Sequence, residues 1–205
     1  MAGIILLAAG SGKRFSAAGG EGNKLNAVLS QTAENPVTVF ETTLNQLTGS
    51  GLSVHVVTRP ENVQVQASCA RKAVPFTLVS SAGTGESIAA GVRDTPEWDG
   101  WLIHLADMPF VPAEVFTAVA KSLQQAQVVR PYWQNEPGHP VGFSRPLREG
   151  LLQLRGDHGA RDLLRGREVL RLNFNNPAVI ADIDLPEQLP KSSLFQNGQP
   201  YAASR

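Results

Sequence analysis

Gly3-Ile-Ile-Leu-Leu-Ala-Ala9 is almost continuously apolar, and Gly10-Ser-Gly12 ends it. A short run without polar alternation predicts a strand buried on both faces, the kind found in parallel sheets with helices on either side. Comparable runs follow at Ser53–Thr58, Phe76–Val79, Trp101–Ala106 and, more weakly, Gln127–Arg130. Between them lie helical periodicities: Pro36–Leu47 with Val39, Phe40, Thr43, Leu44 and Leu47, then Glu86–Arg93, then Pro112–Gln125 with Val115, Phe116, Val119 and Leu123. Strands alternating with helices predict an α/β fold with a mainly parallel, twisted sheet and helices on both faces. In such folds ligands bind beyond the carboxyl ends of the strands, so candidate site residues are sought there.

The 205 residues suit one domain, expected over 1–190, with a polar tail at 191–205 that shows no periodicity. From Pro131 to Gly142 the sequence is rich in Pro, Gly and aromatics, and residues 131–165 read as an insertion. Val179-Ile-Ala-Asp-Ile-Asp184 is expected as a last strand or extended segment, with a short helix starting at Leu185-Pro186. Lys and Arg (18) balance Asp and Glu (18), so no net field draws the chain to nucleic acid or to an anionic membrane. No apolar run is long enough to span a bilayer and no secretory leader pattern is present, so a cytoplasmic protein is expected. The single cysteine, Cys69, has no metal-ligand spacing around it and reads as a structural thiol; His55 and His104 lie inside apolar runs and read as core histidines.

The chemistry concentrates at strand ends. After the first run, small residues at Gly10-Ser11-Gly12 let backbone amides wrap an anion, and Arg14 and Lys24 add positive charge. The Walker A pattern is absent, because Arg14 follows Gly12-Lys13 where a hydroxyl residue is required; the dinucleotide fingerprint fails because Phe15 stands at its third glycine. After the Trp101–Ala106 run comes Asp107-Met-Pro109, a carboxylate placed to hold a divalent cation or, equally, a turn aspartate. Asp182 and Asp184 precede a Pro-containing turn and on their own read as a helix cap. Ser80-Ser-Ala-Gly-Thr-Gly-Glu-Ser87 is either a glycine turn that approaches a ligand or a cap for the following helix.

Taken together, Leu7-Ala-Ala-Gly10, Ser11-Gly-Lys-Arg14-Phe15, Asn23-Lys24-Leu25, Leu105-Ala-Asp107-Met-Pro109 and Asp182-Ile-Asp184-Leu-Pro-Glu-Gln-Leu189 resemble the motifs of the Rossmann-like, MobA-like nucleotidyltransferases. Gly138-His-Pro140 and Gly156-Asp-His-Gly-Ala-Arg161 resemble segments of their molybdenum cofactor cytidylyltransferase branch. The stretches Ser16–Gly22 and Gln31–Val37 are longer than that family's pattern. The resemblance implies a nucleoside triphosphate held by the Leu7, Ala8, Ala9, Gly10, Ser11 and Gly12 backbone, by Arg14 and Lys24, and by Ser81, Gly83 and Ser87. It implies Mg²⁺ on Asp107 and Asp184, with Asp182 the alternative to Asp184, and Arg14, Lys24 and Asp107 as the catalytic set. It also implies a small phosphorylated acceptor contacted by His139, Asp157 and Arg161, and a molybdoenzyme or chaperone as the protein partner.

The reaction implied is transfer of a nucleoside monophosphate, CMP from CTP, to a phosphorylated acceptor such as molybdopterin, with release of pyrophosphate. Guanylyl transfer, transfer to another small phosphate, and a cofactor chaperone that binds nucleotide without turnover are the alternatives.

Overall fold

Strand β1 (Ala2–Ala8) occupies the middle of an eight-stranded sheet, displaced by one residue from the apolar run that predicts it. The computed structural model describes residues 1–10, 12–31, 36–80 and 83–189, the side chains of residues 13, 14, 30 and 31 excepted. After β1 come α1 (Lys13–Ala17), the antiparallel pair β2 (Val28–Gln31) and β3 (Pro36–Thr38), α2 (Val39–Gly49), β4 (Ser53–Thr58), α3 (Val63–Arg71), β5 (Phe76–Leu78) and α4 (Thr84–Arg93). The second half adds β6 (Gly100–Leu105), α5 (Ala113–Ser122), β7 (Val128–Trp133), β8 (Glu136–Pro137), β9 (Val141–Ser144), α6 (Arg148–Leu152), α7 (Arg161–Leu164) and β10 (Leu170–Asn173).

The sheet order is β10-β7-β9-β6-β1-β4-β5, with β8 paired to β7. Strands β5, β4, β1 and β6 run parallel, so their carboxyl ends open on one edge. β9 is antiparallel to both β6 and β7, which turns β7 and β10 back into the direction of β6. The chain is therefore of the mixed, mainly parallel α/β class that the alternation predicts.

Period-two burial sends alternate side chains of β1 to two cores. Ile4, Leu6 and Ala8 meet Phe40, Leu44 and Leu47 of α2, Val65 and Cys69 of α3, and Val115, Phe116 and Val119 of α5. Ile5 joins Ile88 and Val92 of α4, Leu151 of α6, and Trp101 and Phe143 on the other face. Helix α4 lies close because Gly91 has no side chain: a Cβ there would come 2.7 Å from Ile5 Cγ2 and 3.0 Å from Val57 Cγ2.

Several expected boundaries move. The helix expected from Pro36 begins at Val39, because Pro36–Thr38 pairs with β2 and Thr38 and Glu41 form a reciprocal capping box. Helix α3 has no counterpart in the expected elements; Val63-Gln-Val-Gln66 alternates as a strand would, and only Val65, Ser68 and Cys69 are buried. The last strand among the described residues is β10, and of the two forms expected for Val179–Asp184 the strand is not formed. That segment is a 3-10 turn at Pro177–Val179 followed by extended chain, whose bonds go to loops: His139 N donates to Val179 O at 2.8 Å and Ile183 N to Asp107 O at 2.9 Å. Within residues 131–165, β9 lies inside the sheet and Phe143 is fully buried, so this stretch contributes to the core as well as to the surface. The expected tail at 191–205 lies outside the described residues.

Candidate active site

The parallel arrangement places the ends of β1, β4 and β6 side by side, and their loops hold one another. Ala106 N donates to Leu7 O at 3.1 Å, the Thr58 hydroxyl donates to Ala8 O at 3.2 Å, and Arg59 Nε donates to Ala9 O at 2.7 Å. The loop after β1 is thus fixed on both sides up to the exposed Gly10, and Gly12 follows with φ +61°, a conformation that favours glycine. Ser11 and the side chain of Arg14 lie outside the described residues.

The long Ser16–Gly22 stretch closes over the aromatic ring of Phe15, which is 2% exposed. Gly20 N donates to Phe15 O at 3.0 Å, and a Cβ on Gly20 would strike the Phe15 ring at 2.3 Å. Gly19 and Gly22 turn with positive φ and deliver the chain to Asn23. There the Asn23 carboxamide accepts from Leu25 N at 3.0 Å and caps the 3-10 turn Lys24–Asn26, while Leu25 is buried. Lys24 therefore leaves a fixed backbone, and its stem passes Gly12, where a Cβ would lie 3.8 Å from Lys24 Cγ.

Lys24 Nζ donates to Asp107 Oδ2 at 2.5 Å and to Asp184 Oδ1 at 3.0 Å. Burial alone would lower its pKa, but the Asp107 and Asp184 carboxylates outweigh burial and hold it above the ordinary lysine value. Asp107 sits in the turn after β6, where Thr43 Oγ1 donates to Ala106 O at 2.8 Å, Ile183 N to Asp107 O, and His104 Nε2 faces Met108 O at 3.3 Å. Asp184 is set by the turn behind it, since Gln188 Oε1 accepts from the Asp184 and Leu185 amides at 2.6 Å each. Asp182 joins them: one carboxylate oxygen each from Asp107, Asp182 and Asp184 lies within 4.8 Å of the others. Partial burial first, then the charges of Asp184 and Asp107, push the Asp182 carboxyl above the usual range. Asp107 Oδ1 is buried and has no hydrogen-bond partner among the described residues. Three hard oxygen donors, one of them unsatisfied, fit a divalent cation such as Mg²⁺.

The remaining candidates fall in two places. Gly83 and Ser87 lie at the start of α4, and the 156–161 segment docks on that same helix end: Gly85 N donates to Gly156 O at 2.8 Å, while both Glu86 carboxylate oxygens accept from Gly156 N at 3.0 and 2.9 Å. Asp157 and Arg161 are exposed beside this junction. Ser87 is buried and its hydroxyl donates to Gly83 O at 3.1 Å, inside the helix. Ser81 lies outside the described residues. His139 stands elsewhere, half-buried after a cis bond to Pro140, with Nδ1 facing Ile103 O at 3.5 Å and its ring 6.5 Å from that of His104. Burial and then the Arg130 charge push its pKa down to about 4, so it is a neutral imidazole. Among the described residues no hydrogen bond or ion pair joins His139 to Asp157 or Arg161.

Residues 4–172 match the family described as the MobA-like NTP transferase domain. The chain belongs to that family. No curated protein matches it. Among solved structures, the MobA-like chain is similar in fold to Rv0371c from Mycobacterium tuberculosis H37Rv, at 21% identity and TM-score 0.74 over 91% of this chain and 94% of that one. Rv0371c has also been solved as a complex with manganese. A nucleotidyl transferase from Methanothermobacter thermautotroptrophicus matches at 21% identity and TM-score 0.75, covering 91% and 93% of the two chains. Molybdopterin-guanine dinucleotide biosynthesis protein A from Archaeoglobus fulgidus matches at 18% identity and TM-score 0.67, covering 92% and 95%.

The MobA-like site also uses residues that the sequence motifs do not single out. Arg59, Thr43 and Glu86 each fix a loop of the site through a bond to a distant main-chain atom. Glu86 lies within the glycine-rich Gly83–Ser87 segment, but the partner that gives it a role is 70 positions away.

Proposed function

We propose that this MobA-like chain transfers CMP from CTP to a phosphorylated small molecule of the molybdopterin type and releases pyrophosphate, with Mg²⁺ held by Asp107, Asp184 and Asp182. The observation that supports it is Lys24, whose stem passes Gly12 of the glycine loop and whose ammonium donates to Asp107 and Asp184, two of the three clustered carboxylates. The cytidylyl and molybdopterin assignments rest on Gly138-His-Pro140 and Gly156–Arg161; the related alternative is guanylyl transfer. A molybdoenzyme or its chaperone is the partner that would receive the product.

The acceptor phosphate is already ionised near neutral pH, so no side chain has to remove a proton from it. Its oxygen bonds to the α-phosphorus of CTP while the bond from that phosphorus to the bridging oxygen breaks, and the electron pair leaves with pyrophosphate. The glycine loop supplies backbone amides to the phosphates, and Lys24 and Arg14 offset their charge. Asp157 and Arg161 orient the acceptor, and with Glu86 holding Gly156 they do so from a segment fixed to the nucleotide-binding helix end. Mg²⁺, when bound, neutralises charge on the triphosphate and polarises the phosphorus under attack.

A thermal-shift series with CTP, GTP, ATP and UTP, each with Mg²⁺, tests the reading. Only ligands that bind the folded protein raise its apparent stability. CTP is expected to give the largest shift; a larger shift with GTP would replace cytidylyl by guanylyl transfer, and no shift with any of the four would exclude a nucleotide site.

A further inference from the structure

The Lys24 ammonium and a divalent cation draw on the same carboxylates. Asp107 Oδ2 and Asp184 Oδ1, the atoms that Lys24 holds, belong to the carboxylates of the candidate cation seat. Mg²⁺ needs its oxygen ligands at about 2.0–2.1 Å and would meet a second positive charge on two of the three carboxylates. Lys24 thus pairs with two of the three carboxylates of the cluster, Asp107 and Asp184.

That side chain is built to move while its backbone stays. Leu25 is 3% exposed and the Asn23 cap closes the turn, so the Lys24 Cα is anchored. The stem of the side chain runs past Gly12, which puts the glycine loop and the carboxylates within the swing of one flexible side chain. A triphosphate on the loop offers the ammonium more negative charge than two carboxylates do, and rotation about the stem gives Asp107 and Asp184 up.

We infer that Lys24 is a lock on the cation seat: it closes the three carboxylates to a divalent cation until a triphosphate draws it away. The inference rests on the proposed nucleotidyl transfer for the identity of the key, but not for the lock itself. It makes cation and triphosphate bind cooperatively, so that the cation enters with the nucleotide and the protein alone takes it poorly.

The test is Mn²⁺ binding to the full-length, nucleotide-free protein, read from the paramagnetic resonance signal of free Mn²⁺. K24Q is expected to bind Mn²⁺ on the order of tenfold or more tightly than wild type, within the range of ordinary coupling between sites. K24Q with D107N is expected to lose that gain, which places the gained ion on the cluster. K24A repeats the measurement with a shorter side chain, and cooperative melting of either variant shows that it is folded. Mn²⁺ affinity in K24Q and K24A equal to or weaker than in wild type overturns the lock, even where wild type releases pyrophosphate from Mg²⁺ and CTP. A gain in both variants supports the lock, even where wild type turns over no nucleotide; that combination removes nucleotidyl transfer instead.

Discussion

Cys69 and Lys24 show how one environment silences a side chain and another recruits it. Burial on the inner face of α3 pushes the Cys69 thiol up to about 11, against an opposing backbone hydrogen bond. The thiolate is the reactive form, so Cys69 is expected to label with a thiol reagent at neutral pH only after the protein is unfolded. Fast labelling of one thiol in the folded protein would contradict its placement. Lys24 loses solvent as well, yet two carboxylates keep it charged. At this scale the sequence is informative where one residue type at one spacing serves one chemistry, as at Asn23-Lys24-Leu25 and Asp107-Met-Pro109. It says less where a residue acts through a partner far along the chain. Asp182 and Asp184 are two positions apart, and nothing local shows that both carboxylates reach Asp107. His139 reads as an acceptor contact, and nothing local shows that its half-buried ring also has Nδ1 facing Ile103 O.

At the scale of elements, the apolar runs identify β1, β4 and β6 because both faces of each are covered, while β5, an edge strand with Leu78 exposed, is identified from a shorter run. Helix α3 and strand β10 escape the same reading. α3 buries a narrow stripe, and β10 is an edge strand whose burial alternates between half-buried and exposed, leaving too little pattern in four residues. The close approach of α4 to β1 and β4 is likewise invisible until Gly91 is seen against Ile5 and Val57. Gly91→Ala is expected to lower stability by about 1–3 kcal/mol through overpacking, because both neighbours are in the core. Denaturant unfolding measures this; an unchanged or higher midpoint would mean that α4 sits farther from the sheet. The order of strands beyond β6 is the other element-level feature that periodicity does not give, since β9 inserts between β6 and β7 by pairing antiparallel to both.

Across the whole molecule, two cores flank one sheet, and the ends of β1, β4 and β6 gather the fixed loops at one edge. Two histidines behind that edge make the fold sensitive to acid. Burial first, then the neighbouring His139, holds His104 down at about 3, and His139 lies at about 4, against an ordinary value of 6.5 for each. Below pH 6.5 the unfolded chain takes up protons that the folded chain refuses, so these groups stabilise the fold above that pH and the contribution is lost as pH falls toward 4 and 3. The expected slope for each histidine rises from about half of its limit at pH 6.5 toward about 1.4 kcal/mol per pH unit at pH 5, and His104→Gln should remove one share of it. Denaturant midpoints taken from pH 7 to pH 5 read the slope directly; a flat profile would mean that both rings take up protons in the fold as they do in the unfolded chain. Among the described residues no helix is long and apolar enough to cross a membrane, and the open edge of the sheet is the surface on which the function must be sought. Pyrophosphate release from Mg²⁺ and CTP in the presence of molybdopterin cofactor, compared between wild type and Asp107→Asn, bears most directly on that site. A fall of about 10²–10³ in rate with unchanged thermal stability is expected, by analogy with removal of one preorganised charge contact; a variant that turns over like wild type would contradict the account.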